Sequence, residues 1–105
     1  MDTTVEELVI KMISFGGDGK SLAFEAIEKA KKGLMDEAEM LLSRAEEAIN
    51  QGRQAHLEVL AYEANHPDKN VVSLLFVHGA DYVANGADIC VIAGYLIDLY
   101  KERRK

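Results

Sequence analysis

The chain has 105 residues, of which 49% are hydrophobic, so it is long enough for one domain with one core and too short for two. Eighteen acidic residues against twelve basic ones leave a net charge of −6, which opposes binding to a nucleic acid. No apolar run reaches the roughly 18 residues of a membrane span, so membrane insertion is not expected. A single cysteine and a first segment without signal-peptide features lead us to expect a cytoplasmic protein.

The first predicted helix covers about residues 4–32. Its apolar residues recur at helical spacing and include Val5, Leu8, Val9, Met12, Leu22, Ala23, Ala26, Ile27 and Ala30. Gly16, Gly17 and Gly19 would each cost about 1 kcal/mol relative to alanine inside a helix, so we expect a kink or a close contact with another helix there. Gly33 follows two lysines and is predicted to end the helix.

Two further helices are predicted, at about residues 35–65 and 70–103. Pro67 lies between them and cannot continue a helix, and Asn70 is a plausible N-cap for the third helix. Short connections place neighbouring helices antiparallel. The fold class is therefore all-α, an antiparallel three-helix bundle.

The third predicted helix is unusually apolar, since the thirty residues from Val71 to Tyr100 carry only three charges, all aspartates. Two helices of the same chain cover only part of such a surface, so the rest needs another copy of the protein or a membrane, and we favour another copy. Small residues form a groove along this helix. We expect the same helix of another subunit to pack there, the alternative being a helix of the same chain. The groove residues are Gly79, Val83, Gly86, Cys90 and Gly94.

His78 differs from His56 and His66 because it opens the polar stripe of this apolar helix. An unpaired buried imidazole would cost about 1–3 kcal/mol, so His78 is expected to have partners or a use. Asp81 and Tyr82 lie one turn further on the same side. From spacing alone three roles stay open: a structural histidine, a nucleophile toward a phosphoryl group, or a metal ligand.

Four segments of the chain together carry a family pattern. They are Gly17-Asp18-Gly19-Lys20-Ser21, Ala26 to Gly33, Leu60-Ala61-Tyr62-Glu63-Ala64, and Val77-His78-Gly79-Ala80-Asp81. With the order of the three helices, they resemble the lactose/cellobiose-type IIA component of the bacterial sugar phosphotransferase system, over essentially the full chain. The resemblance implies a homotrimer, a nine-helix bundle, in which a histidine of the third helix takes phosphate from the phosphocarrier HPr and passes it to a IIB component.

By this resemblance, His78 is the phosphorylated histidine. Asp81 matches the family aspartate that gathers around the threefold axis and holds a cation, and its oxygen ligands suit a hard divalent ion such as Mg²⁺. The family pattern continues with a second histidine, where this chain has Tyr82, and has a glutamine in place of Ala80.

The second helix also departs from the family pattern. Family members usually show Ala-His-x-x-Gln, whereas this chain has Gly52-Arg53-Gln54-Ala55-His56 at the corresponding place. We expect Arg53 to supply a bidentate cation and His56 a donor to the phosphoryl group, with Tyr82 and Asn85 also beside it.

Two interpretations follow from the residues and the resemblance. The leading one is a phosphocarrier in which His78 accepts and donates phosphate while Asp81 binds the axial cation. The alternative, motivated by the substitutions around His78, is a trimeric helical scaffold or binding protein, natural or engineered, that keeps the IIA fold without the transfer.

Overall fold

The computed structural model describes residues 3–103, which form three α-helices. Helix α1 spans Thr3–Lys31, α2 spans Met35–Asn65 and α3 spans Leu74–Arg103. They lie side by side in an elongated bundle of 59 × 18 × 17 Å. Over these residues no strand is present, and the predicted all-α, three-helix architecture is confirmed.

The glycines of α1 permit a very close approach of α3. The helix continues unbroken through Gly16, Gly17 and Gly19. A Cβ atom on Gly16 would lie 2.8 Å from both the carbonyl carbon of Tyr82 and the amide nitrogen of Val83. Because these are backbone atoms that cannot rotate away, only glycine fits. The close helix contact predicted for this glycine cluster is confirmed.

The connection between α1 and α2 is a short left-handed cap. Gly33 has φ 82°, which is the left-handed region that favours glycine. The Leu34 N–H donates to the Lys29 carbonyl at 3.0 Å, and the Gly33 N–H donates to the Ala30 carbonyl at 3.0 Å. These two bonds are a Schellman motif, so the predicted end of the first helix at Gly33 is confirmed.

The start of α3 differs from the prediction. The helix begins at Leu74, and Ser73 rather than Asn70 is its N-cap, because the Ser73 Oγ accepts a hydrogen bond from the Phe76 N–H at 3.1 Å. Asn70 instead accepts a hydrogen bond from the Val72 N–H at 3.0 Å within the connection. Both residue types favour caps and turns, and local sequence does not decide between the two uses.

The core is built mainly from small and aliphatic side chains, which lets the helices approach closely. Ile49 of α2 fills the space that two glycines leave open. A Cβ on Gly19 would lie 2.5 Å from the Ile49 Cδ1, and one on Gly86 would collide with the same methyl. The main buried residues are Val5, Leu8, Val9, Met12, Ala23, Ala26, Ala30, Ala38, Leu41, Ala45, Ile49, Ala55, Val59, Val71, Val83, Cys90, Ala93 and Ile97.

The small-residue groove of α3 packs against its own chain. A Cβ on Gly79 would lie 3.2 Å from the Met12 Cβ of α1, Gly86 faces Ile49, and one on Gly94 would lie 3.8 Å from the Leu42 side chain of α2. Our expectation that another subunit occupies this groove is therefore wrong. A run of small residues shows where a helix comes close, but not which chain that helix belongs to.

The opposite face of α3 is exposed and largely apolar. Its large apolar side chains are Leu74, Leu75, Val77, Val91, Ile92, Tyr95 and Leu99, with exposures from 40% to 88%. By length and composition α3 could also cross a membrane. Only 28% of its most apolar stretch is buried in the bundle. This exposed face is interrupted by Asp81 and Asp88.

Candidate functional site

His78 lies in the second turn of α3, near the end of the bundle that carries the α2–α3 connection. Its side chain is exposed, and among residues 3–103 neither ring nitrogen makes a hydrogen bond. Its ring contacts the Tyr82 ring, with centroids 4.4 Å apart and planes inclined at 50°. Asp81 and Tyr82, the neighbours one turn further along the helix, do not hydrogen-bond with His78, and an exposed imidazole needs no such partner. An exposed imidazole with free nitrogens can act as a nucleophile.

The polar stripe of α3 faces away from α1. Asp81, Asn85 and Asp88 are all exposed, and over the described part of the chain none forms an ion pair or hydrogen bond. Their position follows from helical geometry, since the residues that contact α1 and α2 lie on the opposite side of the helix. A carboxylate so placed is available to a group outside this chain.

Two predicted neighbours of the phosphoryl group come from α2, and the structure places them differently. His56 is half-buried, and its ring meets the Phe76 ring edge-on with centroids 5.6 Å apart, two residues before His78. Arg53 lines a cavity of about 150 Å³ with Ala87 and Cys90. With a helical rise of 1.5 Å per residue, Ala87 is roughly 13 Å beyond His78 along α3. Within one chain, Arg53 is therefore not a neighbour of His78.

The buried position of Cys90 makes its thiol unreactive. It is 8% exposed, and burial raises its pKa above the ordinary value. The nearby Glu46 carboxylate raises the pKa further, whereas the Arg53 guanidinium lowers it. The protonated thiol is therefore the favoured form at neutral pH, and the thiolate that would react is scarce.

Leu74 and Leu75 belong to the surroundings of His78, and the sequence reasoning did not single them out as part of a site. With His78 they line an open apolar hollow of about 530 Å³. Leu74 is 88% exposed, which is unusual for leucine. The signal available in the sequence was the run of apolar residues just before His78, which belongs to the unusually apolar stretch from Val71 to Tyr100.

A groove between α1 and α2 contains no residue of α3. It has a volume of about 750 Å³ and is lined by Phe15, Asp18, Ser21, Leu22, Glu25, Ser43, Arg44, Glu47, Ala48 and Gln51. The groove therefore plays no part in the site at His78.

A metal site is not complete within one chain. In residues 3–103 no group of three His, Cys, Asp or Glu side chains lies close enough together to hold a metal ion. Asp81 supplies one carboxylate on an exposed face, so a cation held by Asp81 needs further ligands from outside the chain.

Known proteins similar to this chain include components of a bacterial sugar phosphotransferase system. Residues 7–101 match the family described as "PTS system, Lactose/Cellobiose specific IIA subunit". The lichenan-specific phosphotransferase enzyme IIA component of Bacillus subtilis is 32% identical over 97% of this chain and 92% of its own length. The lactose-specific EIIA component of Staphylococcus epidermidis is 32% identical over 93% of both chains.

The structural comparison agrees with the sequence comparison. The crystal structure of the cellobiose-specific enzyme IIA from Bacillus anthracis superposes with a TM-score of 0.88 and 34% identity. The superposition covers 99% of this chain and 94% of the other. The fold is thus shared along nearly the whole length of both proteins.

Proposed function

Because this chain belongs to the lactose/cellobiose-specific IIA family, the phosphocarriers of the sugar phosphotransferase system, we propose that His78 is the residue that carries the phosphoryl group. The single observation that supports this assignment is the exposure of His78, whose two nitrogens are free while its ring rests on Tyr82. The lone pair of one neutral ring nitrogen forms the new P–N bond as the bond to the donor breaks. Our alternative, a scaffold without phosphotransfer, is not favoured by the relatives.

The partners of this reaction are HPr as donor and a IIB component as acceptor, which implies a cytoplasmic site of action. Both must bring their reacting atoms to within about 3–3.5 Å of His78. The exposed Leu74 and Leu75 beside His78 offer apolar contact area for docking on either partner. The reaction then depends on positioning, since phosphoryl transfer requires little further chemistry from the protein.

A homotrimer accounts for the exposed apolar face of α3. On this face Val77, Asp81, Asp88, Val91 and Tyr95 follow one another at steps of four, seven, three and four residues, as in the seam of a parallel helical assembly. Burial in a membrane fits less well, because two aspartates lie at the middle of this face. Within one chain Tyr82 contacts His78, whereas Arg53 lines the cavity beside Ala87 and Cys90 and Asn85 lies about 10 Å from His78 along α3. A role of Arg53 or Asn85 beside the phosphoryl group therefore requires the His78 of a neighbouring subunit.

Asp81 is the proposed ligand of a divalent cation such as Mg²⁺, with one carboxylate from each of three copies. Three carboxylates on an axis repel one another unless a cation or protons offset their charge. Asp81→Asn should therefore leave the trimer mass unchanged in chelator and keep or raise its melting temperature. Mg²⁺ should raise the melting temperature of the parent but not of Asp81→Asn. Asp98→Asn, another exposed aspartate of α3, is the matched control and should respond like the parent.

Phosphate uptake tests the function directly. The protein is incubated with phosphoenolpyruvate, enzyme I and HPr, and its intact mass is measured. We expect a gain of one phosphate in the parent, in His56→Gln and in His66→Gln, and none in His78→Gln. Circular dichroism and light scattering of His78→Gln should match the parent. Uptake that survives in His78→Gln would overturn the assignment, and no uptake by the parent would favour the scaffold alternative.

A further inference from the structure

We propose that Gly17 of α1 and Tyr82 of α3 form a support that orients the His78 ring, so that both are positioning residues for phosphoryl transfer. The inference rests on the proposed function, in which His78 is the acceptor. It assigns a specific role to a glycine outside α3 and to a tyrosine that stands where the family pattern has a histidine.

The Tyr82 ring lies against the bare backbone of α1 at Gly17. A Cβ atom on Gly17 would lie 3.5 Å from both the Cδ2 and the Cε2 atoms of the Tyr82 ring. That distance is ordinary van der Waals contact, so the ring already fills the space in front of Gly17. Tyr82 is accordingly half-buried, whereas His78 one turn earlier is exposed.

Tyr82 is in turn the contact that restricts His78. The two rings are four residues apart on one helix, with centroids 4.4 Å apart and planes at 50°. Across the described residues, this is the one ring contact or hydrogen bond of the His78 side chain. An exposed imidazole without it would exchange among the rotamers that the helix allows. Helix α1 therefore supports the Tyr82 ring, and the Tyr82 ring supports the His78 ring.

Orientation matters because the attacking nitrogen must lie in line with the bond that breaks. A misplacement of about 1 Å can cost roughly a hundredfold in rate. Loss of the support should slow the transfer without preventing it, because the nucleophile itself remains. Gly17 faces the ring carbons Cδ2 and Cε2 of Tyr82, and among residues 3–103 the Tyr82 hydroxyl makes no hydrogen bond, so phenylalanine should serve nearly as well as tyrosine at this position.

Substitutions at Gly17 distinguish the loss of support for the Tyr82 ring from a general loss of folding. Gly17→Ala adds only the Cβ at contact distance, so it should leave the ring in place. Valine has one strongly preferred χ1 in a helix and cannot turn both γ-carbons away, so Gly17→Val should displace the Tyr82 ring. Ser14→Val, at an exposed position three residues earlier on α1, is the control for placing valine on this helix.

The rate of phosphate transfer from purified phospho-HPr is measured in single-turnover mixing for each variant. We expect a loss of about tenfold or more in Gly17→Val and Tyr82→Leu. Gly17→Ala, Tyr82→Phe and Ser14→Val should stay within about twofold of the parent. Equal rates in all folded variants would overturn the proposal, as would a Tyr82→Phe rate as low as that of Tyr82→Leu, which would place the role in the hydroxyl.

The proton signals of the His78 ring give a second readout that does not need phosphorylation. The tilted contact with the Tyr82 ring should displace these signals from their values in a free histidine through the ring current. The shift should persist in Tyr82→Phe and Gly17→Ala and disappear in Tyr82→Leu and Gly17→Val. Signals that are the same in all variants would refute the contact. If the parent shows the shift but accepts no phosphate, the proposed function fails while the support is retained as structure.

Discussion

Adjacent glycines on α1 have different neighbours, and their substitution should have opposite effects. A Cβ on Gly16 would lie 2.8 Å from backbone atoms of α3, whereas one on Gly17 would lie 3.5 Å from a side-chain ring. Gly16→Ala should therefore lower the free energy of unfolding by about 1–3 kcal/mol through overpacking. Gly17→Ala should raise it by up to about 1 kcal/mol through helix propensity. Urea unfolding at one fixed protein concentration compares the two, and equal effects would contradict the close approach at Gly16.

The charges around Cys90 predict how its reactivity changes with pH. Burial and Glu46 raise the pKa of the thiol, and Arg53 lowers it. Since the thiolate is the reactive form, alkylation by iodoacetamide should begin at higher pH than for a free cysteine. Glu46→Gln should move the onset to lower pH, and Arg53→Gln should move it to higher pH. Intact mass after timed alkylation over a pH series measures both, and shifts in the same direction would contradict the assignment.

At the scale of the element, the start of α3 depends on one side chain. Ser73→Ala removes the acceptor of the Phe76 N–H and should lower the free energy of unfolding by about 1 kcal/mol. Ser73→Asp keeps an acceptor and should restore most of that stability. Asn70→Ala removes only the bond to Val72 in the connection, so its effect should be smaller. Thermal unfolding of the three variants ranks them, and a larger loss in Asn70→Ala would make Asn70 the more important residue.

Helix α3 combines two unlike faces. One face carries the glycines and Cys90 and belongs to the core of its own chain, so a large charged residue at Gly86 or Cys90 should unfold the subunit rather than separate subunits. The other face carries the exposed apolar residues and the aspartates. The nearly all-round apolar character of the helix thus has one cause in the core of its own chain and a second in the proposed contact between subunits.

At the scale of the whole molecule, the proposed trimer predicts a mass three times that of the 11.6 kDa chain. Ile92 and Met40 are similarly exposed, at 49% and 54%, but only Ile92 lies on the outer face of α3. Ile92→Asp should reduce the assembly to smaller species, because a charge would be buried in the seam. Met40→Asp should leave the mass unchanged. Light scattering of both variants tests whether the outer face of α3 holds the subunits together. A monomeric parent would exclude the trimer.

Much of the architecture and the family of this protein could be predicted from its sequence alone. Three helices and their order could be predicted from the helical spacing of apolar residues, the lysines before Gly33 and the single proline. These features act within a few residues of the chain. The motif around His78 pointed to the family, which the comparisons confirm. The chemistry available at that position is also local, since a neutral, accessible imidazole nitrogen can act as a nucleophile.

Only the tertiary structure decided which surface each residue meets. Spacing could not show that the groove of α3 belongs to its own chain, that Arg53 faces Cys90 rather than His78, or that Ser73 caps the helix in place of Asn70. It also could not place Gly17 under the Tyr82 ring, because those residues are 65 positions apart in the sequence. The physical reason is that periodicity reports the direction of a side chain from its own helix axis, whereas a contact depends on where a second helix lies.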